Sequence, residues 1–231
     1  MNYIYKGMIK GCFLTGVAVL MSLTVVLAQE KKPVEKPNYL QVITKRSEKI
    51  VDGLGISDSA KYKRVCNIII DQYQNLSNIH DTHDLKVKEA KAHNVNDETA
   101  IKTQVAELDS TMYNQLGQLH EAYLSELAKE LTPAQITNVK DAMTYKILPL
   151  TYAAYLDELP SLTDIQKQKI MTLLTEAREH AIDAGSSEKK HAWFGKYKGK
   201  INNYLSSQGY DMKKAGEEWQ KRIKENQKLK G

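Results

Sequence analysis

The stretch 191–211, H-A-W-F-G-K-Y-K-G-K-I-N-N-Y-L-S-S-Q-G-Y-D, gathers the side chains best suited to recognising a ligand. Aromatic faces stack on the weakly polar C–H surfaces of sugar rings, while amides and cations bond hydroxyls or carboxylates. Such aromatic walls with a few polar anchors are the usual make-up of a small-molecule site. Trp193, Phe194, Tyr197 and Tyr204 offer faces, and Lys190, His191, Lys196, Lys200, Asn202 and Asn203 offer polar contacts. Phe194, Tyr197, Ile201, Tyr204 and Leu205 also follow the three-and-four spacing of a packed helix face. Phe194, Ile201 and Leu205 are therefore assigned to the core, and Tyr197 and Tyr204 fit either role. Trp193, Lys196, Lys200 and Asn203 lie off the stripe. With Arg178 added as a partner for acidic groups, the candidate ligand-binding set is Arg178, Lys190, His191, Trp193, Lys196, Tyr197, Lys200, Asn203 and Tyr204.

Other clusters admit chemistry but are better read as structure. His80, His83 and Asp84 share a helix face and could reach one metal. A solvated polar face is the favoured reading, and no metal or other cofactor is assigned. Arg178, Glu179, His180 and Asp183 contain two carboxylates, but nothing in their spacing fixes the separation that paired acid–base catalysis needs. An intrahelical salt-bridge network is favoured for them. Ser186 and Ser187 lack a nucleophile-elbow motif and suit helix capping instead. No catalytic residue is assigned, and non-catalytic binding is favoured over enzymatic activity.

These residues sit on a chain with a leader. Lys6 and Lys10 precede an apolar run, 13–27, that ends in Val-Leu-Ala before Gln29. This pattern predicts a signal peptide over residues 1–28, cleaved after Ala28. The run is short for a membrane span, so no span is expected after cleavage. Export to the periplasm or the extracellular space follows. The chain has 33 Lys and Arg, two of them in the leader, against 28 Asp and Glu, which leaves the remainder near neutrality and argues against a dedicated nucleic-acid binder. Cys66 is the only cysteine beyond the leader, so packing rather than an internal disulfide must stabilise the fold. Its apolar neighbours make it a core thiol.

The supporting elements read as helices throughout. Residues 29–38, with Pro33 and Pro37, form a flexible tether. Residues 39–231 then form one all-α domain, with subdomains at 39–130 and 131–231 left open. A first helix from Tyr39 is stopped by Gly53 and Gly55. A second starts at a Ser57 cap and runs to about His93, and a third starts at an Asp97 cap with a coiled-coil-like seam from Ile101 to Leu127. The short connection makes these two a long antiparallel hairpin of roughly 50 Å. With the loop at 93–97, His80 is expected near Ser110 and not near His120. Leu131-Thr132-Pro133-Ala134-Gln135 and Leu162-Thr163-Asp164-Ile165-Gln166 are two L-T-x-x-Q capping boxes. Pro149 is expected to kink or end a helix, and Gly185 to stop one in the left-handed conformation. A helix over about 187–205 and a last one capped by Asp211 follow, with a fraying tail from Lys224. The fold expected is a helical bundle containing a long hairpin and a compact C-terminal part.

Four tracts carry a resemblance: D-A-M-T-Y (141–145), L-P-L-T-Y (148–152), the run 177–205, and G-Y-D-M-K-K-A-G-E-E-W (209–219). They resemble an exported bacterial family, catalogued as a domain of unknown function with a provisional sugar-binding label, from about Tyr39 to Trp219. The resemblance implies an exported protein of polysaccharide-using bacteria, near pectin-type glycans, and brings no catalytic residues. The paired L-T-x-x-Q motifs are also similar to those of the periplasmic Spy/CpxP chaperones. The expected partner is an oligosaccharide, with acidic groups for the lysines and Arg178. The alternatives are a chaperone or stress sensor and a glycan-active hydrolase or lyase. Oligomeric state is left open.

Overall fold

The computed structural model describes residues 38–94 and 97–228; the expected signal peptide, and the expected tether up to Pro37, lie outside the described residues. The described chain forms eight helices: α1 (Tyr39–Asp52), α2 (Ser59–His93), α3 (Glu98–Glu130), α4 (Pro133–Met143), α5 (Ile147–Glu158), α6 (Asp164–Ile182), α7 (Ser187–Ser207) and α8 (Met212–Lys228). The all-α expectation holds. No helix among the described residues is long and apolar enough to cross a membrane.

Local side-chain chemistry sets most helix starts. Asn38, Thr132 and Thr163 each open a capping box with a glutamine at the third helical position. Both L-T-x-x-Q boxes thus form as expected, whereas the Asn38–Gln41 box was not anticipated. Asp97 caps α3, Ser186 caps α7, and Asp211 accepts from the Lys214 amide. Asp58, not Ser57, caps α2: its carboxylate accepts from the Ala60 and Lys61 amides at 2.8 and 3.2 Å. Gly55 adopts φ +66°, which turns the chain between α1 and α2 without the cost a side chain would carry there.

Two further expectations are corrected. Pro149 ends no helix; it sits in the first turn of α5, where its missing N–H is an orphan in any case. The break before it is made by Tyr145 and Lys146, both left-handed at φ 59° and 56°. The tail does not fray from Lys224, because α8 continues to Lys228. Trp219 Nε1 donates to Asp157 Oδ2 at 2.6 Å, and Arg222 donates to the Asp157 carbonyl at 2.8 Å, pinning α8 to the end of α5.

The hairpin of α2 and α3 is antiparallel. Arg64 pairs with Glu130 at 2.7 Å near its open end, and His83 meets Asp109 at 2.8 Å nearer the turn. That register places His80 opposite the middle of α3, close to the sequence expectation. Two apolar cores result. One is built from α1 to α4 around Val51, Ile69, Leu127 and Val139, and also takes in Ile182 from the end of α6. The other is built from α5 to α7 around Ile170, Leu174, Phe194, Ile201 and Leu205, with α8 packed against it. The end of α6 therefore touches both.

Candidate functional site

Where α6 ends, Asp183 becomes its C-cap, and Ala184, Gly185 and Ser186 lead into α7. This turn lies against the middle of α2. The Nε2–H of His80 donates to the Asp183 carbonyl at 2.8 Å, which satisfies an acceptor the helix end leaves open. A Cβ added to Gly185 would lie 2.6 Å from His80 Cγ. Gly185 is thus needed for close approach. It is absent from the left-handed glycines among the described residues, which corrects the stop expected there.

The Asp183 carboxylate faces α3. Its Oδ2 bonds His120 Nδ1 at 2.8 Å, and His120 Nε2 lies 3.6 Å from Glu179 Oε2. Glu179 accepts from Lys140 at 2.6 Å and from Arg178, whose Nη1 reaches Asp141 at 2.8 Å. The hydrogen bond to Asp183 holds the His120 pKa above its ordinary value despite partial burial. Burial disfavours charge on Glu179, but Lys140 and Arg178 outweigh it and hold the carboxyl below its ordinary value. The network is therefore mainly between helices, joining α3, α4 and α6, and not within one helix as its spacing suggested. Its carboxylates are already matched by cations, an arrangement unlike two carboxylates flanking an open substrate gap.

Beside the turn opens a cleft of about 520 Å³ between the hairpin and α7. Trp193, Lys189 and Lys196 line it from α7, His180 from α6, His80 and His83 from α2, and Tyr113 and Leu116 from α3. The Trp193 indole stacks on the His180 ring, with centroids 4.4 Å apart and planes 15° apart. The Lys196 ammonium sits 4.9 Å from the indole centroid, within cation–π range. Tyr113 is 60% exposed, the second aromatic wall. His83 is held by Asp109 at 2.8 Å and Asp84 at 3.2 Å. Among the described residues no group of three or more His, Cys, Asp or Glu is arranged to hold a metal ion.

The sequence-derived set is divided by the fold. Trp193 and Lys196 line the cleft. Arg178 is buried in its pairs with Asp141 and Glu179, and Tyr197 is buried with the Lys200 ammonium 4.0 Å from its ring centroid. Tyr204 is half-buried against the second core, and Asn203 is exposed. Its neighbour Asn202 accepts from the Tyr155 hydroxyl at 2.7 Å. His191 donates from Nδ1 to the Ser187 carbonyl and stacks on Tyr145 at 5.4 Å. Lys190 is buried and borders a different cavity. The clusters around 178–183 and 191–204 meet in the cleft through His180, Asp183, Trp193 and Lys196.

The sequence reading missed Tyr113 and the joining of His80 and His83 to Trp193. Tyr113 was detectable as an aromatic beside the α3 seam, one residue past Met112. The L-T-x-x-Q glutamines lie elsewhere and act as ties: Gln135 donates to the Leu54 carbonyl at 3.0 Å, and Gln166 accepts from the Tyr210 hydroxyl at 3.0 Å.

A family model described as "Protein of unknown function (DUF3826)" matches residues 40–225. No curated protein matches the chain.

Proposed function

The chain belongs to this DUF3826 family of proteins of unknown function, and from the geometry of its own cleft we propose that it is an exported, non-catalytic carbohydrate-binding protein. The single observation that carries the reading is the cleft wall made by Trp193 and Tyr113, with histidines and lysines between them. Two aromatic side chains on different helices bound a space large enough for a sugar ring or two. His180 stacks on the indole and fixes its plane. The Lys196 chain over the indole is flexible, so a ligand can displace it and gain its ammonium as a hydrogen-bond donor. Lys189 adds a second cation, and acidic oligosaccharides are the favoured class. The leader motif in residues 1–28 supports export.

Isothermal calorimetry and a glycan array, with neutral and acidic oligosaccharides, test this reading. Trp193→Ala is expected to weaken binding tenfold to a hundredfold, about 1.4–2.8 kcal/mol. Trp219→Ala, altered far from the cleft at the α5–α8 contact, should bind normally. Unchanged binding in Trp193→Ala refutes the site. Failure of the wild type to bind any glycan refutes the function, and release of cleaved product refutes its non-catalytic character.

A further inference from the structure

A second cavity, of about 620 Å³, flanks the same α6–α7 turn and shares Ala184 with the cleft. Four cations border it: Arg46 and Lys49 from α1, Lys146 from the α4–α5 break, and Lys190 from α7. Its lining residues include no Asp or Glu. Lys190 is only 5% exposed. A buried ammonium is costly unless it is paired, and this one has three protons to place. Among the described residues its hydrogen-bond partner is the Met143 carbonyl, at 3.1 Å, and the Tyr73 ring lies 5.7 Å away. Asp183 is the acid whose charge reaches it; its Oδ2 bonds His120 and its buried Oδ1 has no hydrogen-bond partner among the described residues, Lys190 included. Burial accordingly lowers the Lys190 pKa to about 8.

The cavity is thus a concave surface with excess positive charge, one member of which is buried with no carboxylate hydrogen-bonded to it among the described residues. Ser186 and Ser187 also border it, at the start of α7, where first-turn amides lack helical partners and the helix dipole favours negative charge. Tyr145 and Lys146 line it from two consecutive left-handed positions, a conformation that costs energy in residues other than glycine. We propose that this cavity binds the anionic group of a small oxyanion ligand (a sulfate, phosphate or carboxylate group), with Lys190 as its buried counter-charge and Arg46 closing on it from α1. The site is separate from the glycan cleft and stands whether or not that reading holds.

The experiment is calorimetric titration of the full chain with sodium sulfate, sodium phosphate and sodium acetate, at constant ionic strength in a chloride buffer. Saturable binding of at least one anion is expected, and comparing the three separates a tetrahedral oxyanion from a simple carboxylate. Lys190→Met and Arg46→Gln should each weaken it at least tenfold, while Trp193→Ala leaves it unchanged. Lys190→Met removes a buried charge and keeps a chain of similar length, so it is expected to fold, as its thermal melt will show. No saturable binding of any of the three, binding that survives both substitutions, or binding lost in Trp193→Ala overturns the proposal.

Discussion

Replacing Gly185 with alanine probes the contact that builds the cleft. The new Cβ would meet His80 Cγ at 2.6 Å, Cδ2 at 2.8 Å and Cβ at 3.1 Å. These are ring and root atoms of a side chain that is 8% exposed, so His80 cannot swing its far end aside. Either the ring leaves the Asp183 carbonyl or the turn moves off α2. Overpacking of this kind costs about 1–3 kcal/mol. Loss of the His80–Asp183 hydrogen bond adds about 1 kcal/mol. The expected destabilisation is ~2–4 kcal/mol, a fall in Tm of about 4–16 °C for a domain of this size. Urea and thermal unfolding of wild type, Gly185→Ala, His80→Ala and the double variant measure it. Because the ring is the obstacle, the double variant should be more stable than additivity predicts, by about 1–3 kcal/mol. Additivity within roughly 0.5 kcal/mol would refute the steric argument, as would a negligible effect of Gly185→Ala alone.

Lys190→Met should stabilise the protein at pH 7 in a buffer free of oxyanions. The folded Lys190 pKa of about 8 lies below the ordinary 10.5, so the unfolded chain holds the extra proton between these values and stability rises with pH across that window. The wild type should therefore gain ~3 kcal/mol on the methionine variant from pH 7 to 11, read by urea unfolding, and parallel curves would exclude a buried charged lysine. Asp183→Asn should cost stability chiefly at low pH. The His120 pKa is raised above 6.5 by its bond to Asp183, so that contribution is complete below 6.5 and is lost as pH passes the raised value; a pH-independent cost would contradict the pairing. Thr132→Ala and Thr163→Ala should each lower stability by about 1 kcal/mol through loss of the cap, with glycan affinity unchanged in calorimetry. A loss of client protection in an aggregation assay without a loss of stability would favour the chaperone alternative instead.

Most of what was legible in the sequence is governed by interactions within a few residues. The Thr132–Gln135 and Thr163–Gln166 boxes, the Asp97 and Asp211 caps, and the stripe Phe194–Ile201–Leu205 form as read, because each depends on one helix turn or one helix face. The errors have a common cause. Pro149 fits the first turn of a helix as well as it breaks one, and only the left-handed pair Tyr145–Lys146 settles which. Gly185 looks like a helix stop, yet its need for no side chain arises from His80, a hundred residues away along the chain.

The candidate site was legible only in part for the same reason. Trp193 and Lys196 were separable from the core stripe by helical spacing, and both reach the cleft. Arg178 looked equally available, but Asp141 and Glu179 hold it, and Asp141 lies on another helix. By itself, the sequence determined that the described chain is helical, where most helices begin, which faces are apolar, and that the two longest run antiparallel across a short connection. The tertiary structure decided that Tyr113, His80, His180 and Trp193 border one space, and that Lys190 faces away from them into a basic cavity. Caps and periodicity act over one or two helix turns, whereas these groupings depend on the rotation and register of packed helices, set by the sum of many weak contacts among residues distant in sequence.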